Sequence, residues 1–451
     1  MKNIKKVLIL LIVLTILIIL SIISILVLLP EKDPNLIIDE EEYDSTIILN
    51  ETLERVSIRN NYYTVKNIIE EYYSCLCNLN NKSEDVLIFE YDEETEHLEE
   101  ENAQKIENSQ KRIYNFFDDN YIKETGLSTD NIKEKLGNYN NLYILIKDMY
   151  VRDLTESIKI YFTFGTLTEK DNSKIENFGL MVLVDSNNST FNLYTSDYVK
   201  KHNLYELSKN KDFKEKYFNI NNIENRKYNT YEYKLIDDET YAKDLLKTYS
   251  QSIKYNNIDY SYDRLHENYK INRFAEKSYY EEYLKENKKD ITMATLEYYK
   301  YQKYKDYKQY ICIDTNKNYY IFNETSIMNY TLILDEYTVD LPEFIEQYTI
   351  ASKEDKVAMN VEKVISAIND RDYKYIYSKL DNVFKQNKFP TENDLKTYIQ
   401  NNLLEMNGVE NRDFSQEGDI FIYKIEVNGK NFNIIMQLGE GTEFTMSFSI
   451  E

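Results

Sequence analysis

Histidine is the side chain whose pKa best suits acid–base catalysis near neutral pH, and the chain contains three of them. His266 lies in a segment that recurs later in the chain, but its counterpart there is Asp381, so a general base at this place is not repeated. His97 lies among glutamates that lack the spacing of a calcium loop, and His202 lies in a connector rich in Lys and Asn. We expect a surface or pocket-edge position for His266, and we predict no catalytic residue.

The cysteines and glycines indicate neither a metal site, nor a phosphate-binding loop, nor a disulfide framework. Cys75 and Cys77 are two residues apart on a predicted helix and point to different faces, and Cys312 lies alone in a strand-like run. No glycine lies between Gly179 and Gly408, whereas a Walker loop or a GxGxxG turn needs glycines at fixed offsets. No nucleophile elbow is present either. We therefore predict no metal, no cofactor and no enzymatic activity.

A segment rich in lysine and tyrosine, EYYKYQKYKDYKQY from Glu297 to Tyr310, is the best candidate for an interaction surface. Aromatic side chains among lysines can bind single-stranded nucleic acid or glycans. The alternative is a hairpin whose tyrosines pack on helices while its lysines protect the wet face. The formal net charge of −23 argues against nucleic acid and leaves a carbohydrate or protein contact. The candidate residues are Lys300, Tyr301, Lys303, Tyr304, Lys305, Tyr307 and Lys308.

Residues 1–30 have the pattern of a membrane anchor. Three lysines precede an unbroken apolar run from Val7 to Leu29, and a helix of this length measures roughly 35 Å, enough to cross a bilayer core of about 30 Å. The alternative is a cleaved signal peptide, which needs a shorter apolar run and small residues at its exit. This run ends in ILVLLPEKD, without small residues at those offsets, so it predicts an uncleaved transmembrane signal anchor.

The charges on either side of the apolar run predict its orientation. Lysines lie on the N-terminal side, and residues 31–57 form an acidic tether on the other side. The positive-inside rule then places the N-terminus in the cytoplasm and the bulk of the chain outside the cell, at the cell membrane. The abundance of Asn, Lys, Ile and Tyr indicates an AT-rich genome, which is typical of Gram-positive bacteria.

Beyond the tether, one order of patterns occurs three times, with helical periodicity first and alternating strand-like segments after it. The first helical pattern includes Val65 and Ile68, and Ile158 to Phe164 alternate with polar neighbours. The last strand is the most regular, with Phe444, Met446, Phe448 and Ile450 alternating with Thr or Ser. Alternation with a period of two predicts antiparallel sheets covered on one side. The predicted units are a first module at 58–200, a linker at 201–236, a second module at 237–350 and a third at 351–451.

Identities between the second and third units support a repeat. Tyr262, Leu265, Lys270, Asn272, Phe274, Tyr283 and Asn287 each recur at one constant offset, as Tyr377, Leu380, Lys385, Asn387, Phe389, Tyr398 and Asn402. Asn428-Gly429 between apolar runs predicts a hairpin turn in the third unit. Helices followed by a curved antiparallel sheet predict an α+β fold.

These phrases and this order of elements resemble a known group of proteins. The segments YNTYEYKLIDDETYAKDLLKTY and FKQNKFPTENDLKTYIQNN are similar to clostridial membrane-anchored proteins with tandem nuclear-transport-factor-2-like domains. The resemblance covers most of residues 58–451. It implies a transmembrane helix followed by three tandem cone-like modules, in which helices pack on a curved sheet, and it implies no chemistry.

We therefore expect a membrane-anchored, extracellular, non-enzymatic binding or scaffold protein of the bacterial cell envelope. Its expected partners are the membrane, through Val7 to Leu29, and an envelope protein or cell-wall component, but not nucleic acid. One alternative is a binder of a small ligand or glycan, or an enzyme, that uses the interior of one module. A second alternative is a scaffold subunit of a secretion or conjugation complex, which follows from fold analogy alone.

Overall fold

The predicted transmembrane part of the fold class is wrong for the chain as the structure shows it. The computed structural model describes residues 53–80, 93–170, 174–209, 229–403, 410–427 and 430–450. No helix in those ranges is both long enough and apolar enough to cross a membrane. Even the helix Glu93–Asn115, with 23 residues, is made mostly of charged and amide side chains. The fold that the structure supports combines helices with three antiparallel sheets, and Val7 to Leu29 and the tether up to Thr52 lie outside the described residues.

The first group of elements surrounds a five-stranded antiparallel sheet in which the strands follow chain order. Its strands are β1 (Glu54–Arg55), β2 (Leu142–Asp153), β3 (Ile158–Glu169), β4 (Ile175–Asp185) and β5 (Thr190–Thr195). Its helices are α1 (Arg59–Asn78), α2 (Glu93–Asn115), α3 (Asp119–Thr125), α4 (Ile132–Leu136), α5 (Ser196–Lys201) and α6 (Leu204–Leu207). The helical spacing of Val65, Ile68 and Ile69 places all three on the buried face of α1, as the sequence predicts.

The first sheet departs from the expected pattern of one buried and one wet face. Tyr161 of β3 was expected on the wet face, yet it is 2% exposed. On its side of the sheet the ring of Phe178 lies 5.5 Å from Tyr73 of α1. On the other side the ring of Phe162 lies 5.3 Å from Tyr205 of α6. Because helices pack on both faces, β3 is buried on both, and the expectation of a one-sided sheet is wrong here.

The second group of elements has four helices and a four-stranded sheet in the order β6-β7-β8-β9 within the described part of the chain. Its helices are α7 (Asp238–Lys254), α8 (Ile258–Asp263), α9 (Glu267–Arg273) and α10 (Lys277–Thr292). Its strands are β6 (Leu296–Lys303), β7 (Lys308–Asp314), β8 (Tyr319–Ser326) and β9 (Asn329–Ile333). Asp237 begins α7 by accepting a hydrogen bond from the backbone N–H of Thr240, which satisfies an N–H group left open at the helix start.

The third group repeats this order after a connecting helix, α11 (Pro342–Ile350). Its helices are α12 (Lys353–Asn369), α13 (Tyr373–Lys379), α14 (Asn382–Lys388) and α15 (Glu392–Asn402), and its strands are β10 (Glu410–Glu417), β11 (Ile420–Val427), β12 (Lys430–Leu438) and β13 (Phe444–Ile450). In β13, Phe444, Met446 and Phe448 are buried while Thr445 and Ser449 are exposed, which confirms the predicted alternation. Asn428 and Gly429 lie outside the described residues.

The repeated residues make repeated contacts. The backbone N–H of His266 donates to Leu332 O at 2.9 Å, and that of Asp381 donates to Met446 O at 2.8 Å. The hydroxyl of Tyr262 donates to Phe274 O at 3.1 Å, and the hydroxyl of Tyr377, the counterpart of Tyr262, donates to Pro390 O at 3.2 Å. The repeat therefore preserves how the short helices attach to the sheet.

The first and second groups share one continuous core, which runs from Val56 to Leu334. Arg59 of α1 donates to Asp238 at 2.7 Å and to the Tyr310 hydroxyl at 2.9 Å, and its guanidinium lies 4.3 Å from the ring centre of Tyr241. The side chain of Asn257 bonds to two threonines of β3 at 2.9 and 3.0 Å. The shared apolar core and these polar contacts show that the two groups pack as neighbours rather than as separate domains on a flexible tether.

The second and third groups meet around one buried cation. Arg273 of α9 donates to Asp335 at 2.6 Å and lies 3.4 Å from Asp372, which begins α13. The three side chains are 5%, 1% and 4% exposed. Nearby, Lys363 of α12 and the hydroxyl of Thr442 both bond to Asp340 in the connection between the two groups. The joint between the second and third groups therefore depends on ion pairs between buried side chains.

We predict that Arg273→Met lowers the free energy of unfolding by about 3–5 kcal/mol, because it leaves Asp335 and Asp372 buried without their cation. The variant that also carries Asp335→Asn and Asp372→Asn should recover at least half of that loss, since the two aspartates that pair with Arg273 are then uncharged as well. Urea unfolding of the three proteins measures both values. Equal stability of wild type and Arg273→Met would contradict the assignment of this joint.

The predicted module boundaries lead to a second expectation. The core of the third group is separate from the other and takes Tyr337 from outside residues 351–451. We predict that residues 335–451 alone unfold cooperatively in urea, and that residues 353–451 do so at lower stability, because Lys363, 7% exposed, then loses Asp340. Circular dichroism during the titration measures both transitions. Non-cooperative unfolding of the longer segment would contradict the boundary.

Candidate functional site

The predicted lysine–tyrosine surface lies at the edge of the second sheet. Its residues span β6, the following turn and the start of β7, and β6 is an end strand of that sheet. The turn closes through a hydrogen bond from Tyr304 N to Tyr307 O at 2.9 Å, and the two rings stack at 4.7 Å. Since β6 pairs only with β7 among the described strands, one side of its backbone is open for further pairing.

Some residues of this segment pack as a hairpin, whereas others are exposed as an interaction surface would be. The ring of Tyr301 lies 5.1 Å from the ring of Tyr310 on the opposite strand, as expected for a packed hairpin. Lys300 bonds to Glu343 of α11 at 2.5 Å, and this hydrogen bond raises the pKa of the lysine. Lys303 and Lys305 are exposed, and no ion pair reaches them from the described residues. The free positive charge of this surface is therefore concentrated at the end of the hairpin.

His266 has a structural role that the sequence did not reveal. It is the residue that begins α9, just as Asp381 begins α14, which explains why two different side chains occupy one repeated position. The carboxylate of Asp381 accepts hydrogen bonds from two backbone N–H groups of its helix, whereas the His266 side chain makes no such bond. Burial lowers the pKa of His266, so the ring is neutral at pH 7. His97 lies in the part of α2 whose side chains are outside the described residues.

The interior of the second group is filled by aromatic rings. Tyr241, Tyr249, Tyr269 and Tyr280 are each 0% exposed, as expected for a packed core rather than for a ligand cavity. One carboxyl group lies among them: Glu324 accepts hydrogen bonds from the Tyr241 hydroxyl and from Met328 N, and burial raises its pKa. Glu324 is only 1% exposed. The group is therefore positioned for packing and not for contact with a substrate.

The cysteines lie in surroundings that disfavour reactivity. All three are free, and burial raises the pKa of Cys75 to about 11 and that of Cys312 to about 12. Cys75 borders an open depression of about 510 Å³ between α1 and α2, where Arg112 pairs with Glu71 at 2.6 Å. A thiol held in its neutral form is a weak nucleophile, so this depression has no reactive centre at Cys75.

A polar cleft of about 480 Å³ lies where the second and third groups meet. It receives side chains from the end of α10, from the turn between β7 and β8, from the segment after β9 and from the end of α12. Four acidic residues line it, Asp290, Asp335, Glu336 and Asp370, together with the tyrosines Tyr283, Tyr319, Tyr320 and Tyr337. No sequence pattern predicted this site, because its acids come from separate segments and are four among 78.

Asp370 has the most altered acidity in the cleft. Its side chain reaches water in the cleft, yet protein atoms crowd it, and this desolvation raises its pKa to about 6. Arg273 lowers the pKa while the nearby Asp335 and Asp372 raise it again by repulsion. The Tyr337 hydroxyl also lowers it, although no hydrogen bond of normal geometry joins the two groups. The single positive charge of Arg273 therefore lies near three aspartate carboxylates, so negative charge remains in the cleft.

The carboxylates of the cleft do not converge on a single point. Among the described residues, no group of three or more His, Cys, Asp or Glu side chains is arranged to hold a metal ion.

We predict that Asp370→Asn stabilises the protein above neutral pH. The folded pKa of about 6 exceeds the ordinary value of 3.8, so the ionised carboxylate opposes folding, and this penalty grows as pH rises from about 4 to about 6. The melting temperature of the variant should exceed that of wild type at about pH 7.5 and approach it at about pH 4.5. Asp419→Asn, on an exposed turn, serves as the control. A lower melting temperature for Asp370→Asn at both pH values would contradict the charge excess.

Comparison with known proteins gives no relative from which a role could be transferred. No protein family, no curated protein and no solved structure is similar to this chain at a significant level. The resemblance to tandem nuclear-transport-factor-2-like proteins therefore stays a prediction, and the function must be argued from the geometry of the described residues.

Proposed function

We propose that this protein is a non-enzymatic binding scaffold of the bacterial cell envelope, displayed outside the cell. The observation that supports it best is the packed interior of the second group, where four tyrosines are 0% exposed. Polar contacts at the two joints also support the proposal. Arg59 links the first group to the second, and Arg273 lies at the joint between the second and third groups. Packed interiors and paired joints suit a protein whose surfaces, rather than its cavities, make the contacts.

The edge strand β6 is the contact surface that we assign to this scaffold. Its open side can accept one more strand through backbone hydrogen bonds, a common mode of peptide recognition. Tyr298 and Tyr301, 57% and 38% exposed, add aromatic area next to it, and Lys303 and Lys305 add positive charge. Because the chain as a whole carries −23, this local positive charge favours an acidic partner segment over a second copy of the same surface.

A pocket-type binder is the second candidate function, and one observation favours it: the cleft of about 480 Å³ beside Asp370. That cleft lies between two groups and not inside one, so the binder proposed here differs from a ligand held in the interior of one module. A role as a subunit of a secretion or conjugation complex is compatible with the scaffold, but it rests on the resemblance of the fold alone.

We predict that Lys303→Glu with Lys305→Glu reduces capture of the native partner from membranes at least tenfold, on the order of 1.4 kcal/mol, because it reverses the charge that attracts an acidic strand. The measurement is crosslinking of the full chain in native membranes followed by quantitative mass spectrometry. The matched control, Lys285→Glu with Lys288→Glu on the exposed side of α10, makes the same change in charge and should retain capture. Thermal unfolding of both variants verifies that they fold.

Three results would count against this proposal. Capture that is unchanged in the β6 variant would remove the edge strand as the contact surface. Equal loss in both variants would indicate a general charge effect. Loss of binding to isolated anionic cell-wall polymer, without loss of any protein partner, would replace the acidic protein segment with a wall component.

A further inference from the structure

An open groove of about 360 Å³ lies between the first and second groups. Glu70, Ser74 and Cys77 line it from α1, and their spacing of four and three residues places all three side chains on one face of that helix. Gln251 and Tyr255, four residues apart at the end of α7, line it from the second group. Because helix faces form these walls, the groove is preformed, as small-ligand sites usually are.

A pair of stacked tyrosines lies in this groove. The ring of Tyr255 stacks on the ring of Tyr143, with 4.7 Å between the ring centres and 26° between the planes. Tyr143 is 7% exposed, whereas Tyr255 is half-buried, so part of the Tyr255 ring remains accessible. The ammonium group of Lys170, which also lines the groove, lies 5.8 Å from the centre of the Tyr255 ring. An aromatic surface and a hydrogen-bond donor are therefore adjacent.

The polar side chains around the tyrosine pair have no partners within the protein. Glu70, Ser74, Asn141 and Gln251 line the groove, and none of their side chains forms a hydrogen bond or ion pair with another described residue. The carboxylate only accepts hydrogen bonds, whereas the hydroxyl and the two amides both donate and accept. One groove thus offers donors and acceptors that the fold itself does not use.

The two charged side chains of the groove lie at different places along α1. Burial raises the pKa of Tyr143, and the nearby Glu70 adds to that rise. Burial also raises the pKa of Cys77, and the nearby Lys170 partly offsets that rise. Glu70 and Cys77 are seven residues apart, which is about 10 Å along a helix. A ligand with one sign of charge would be attracted to one end and repelled from the other, whereas an uncharged ligand can hydrogen-bond both.

We propose that this groove binds an uncharged disaccharide, with one pyranose ring packed on Tyr255. A pyranose ring has a face of C–H groups, which are weakly positive and are attracted to the negative face of an aromatic ring. Its hydroxyl groups donate and accept hydrogen bonds, as do the side chains that line the groove. A length of about 10 Å exceeds one sugar ring and therefore indicates two. None of the lining residues belongs to β6, so the site is independent of the proposed partner surface.

This ligand chemistry has two sources, a glycan of acetylated amino sugars or a plain glucan. Saturation-transfer NMR of the full chain distinguishes them, with N,N′-diacetylchitobiose in one arm and cellobiose in the other. Because the chain contains the apolar run Val7 to Leu29, the protein is kept in a zwitterionic detergent, which has no sugar headgroup to compete. We expect saturable binding of at least one disaccharide. Sorbitol has hydroxyl groups but no ring, so it should bind at least tenfold more weakly, about 1.4 kcal/mol.

The variants test which residues bind the sugar. Tyr255→Leu removes the ring but keeps an apolar side chain, so it should weaken binding about tenfold, roughly 1.4 kcal/mol. The matched control, Tyr279→Leu, removes a ring that is 53% exposed on α10, outside the groove, and should bind as wild type does. Gln251→Ala removes a neutral hydrogen-bonding group at a half-buried position and should weaken binding a few-fold. Thermal unfolding of each variant verifies that it folds.

Salt dependence gives a readout that separates an uncharged sugar from a charged ligand. Affinity for the disaccharide should change less than about twofold between about 0.05 and 0.5 M salt, because salt screens only interactions between charges. Glu70→Gln keeps a hydrogen-bonding group and should weaken binding by no more than a few-fold. The proposal is overturned if neither disaccharide binds saturably, if high salt abolishes the binding, or if Tyr255→Leu and Gln251→Ala bind as tightly as wild type.

Discussion

The burial of one guanidinium, that of Arg273, is the constraint on which the joint between the second and third groups depends. A buried cation must be paired and hydrogen-bonded, because the cost of removing it from water is several kcal/mol or more. Asp335 and Asp372 provide the pairing from either side of the connection that joins the two groups. Neither group could turn away from the other without leaving a charge unpaired, so the position of α13 relative to α9 is set by electrostatics as well as by packing.

The same arrangement creates the cleft and its excess of negative charge. Desolvation raises the pKa of Asp370 to about 6, and Arg273, which also pairs with two aspartates, offsets this rise only in part. A folded protein seldom keeps such a penalty unless it serves a function, and binding sites are where proteins most often sacrifice stability.

Sequence patterns predicted the elements better than they predicted their environment. The spacing of Val65 and Ile68 correctly placed the buried face of α1, and alternation in β13 correctly placed its buried residues, because both depend on local periodicity. Alternation failed for β3, where Tyr161 is buried although periodicity within the strand predicted a wet face. The cleft was not predictable at all, since Asp290, Glu336 and Asp370 become neighbours only through the packing of two groups. The predicted transmembrane helix has no counterpart among the described residues.

The repeat itself explains why chemistry is hard to find in this chain. The contacts that recur between the second and third groups attach the short helices to their surroundings. The backbone N–H groups of His266 and Asp381 bond to the sheet, and tyrosine hydroxyls bond to backbone carbonyl groups at the C-terminal ends of the short helices. The side chain at this repeated position is free to differ, because only the backbone bond is required there. Asp370 and Arg273, by contrast, lie at the junction and not at matching positions of the two copies. A duplicated fold therefore gains a distinctive site where its copies meet, since only there is the environment not a repetition of another part of the chain.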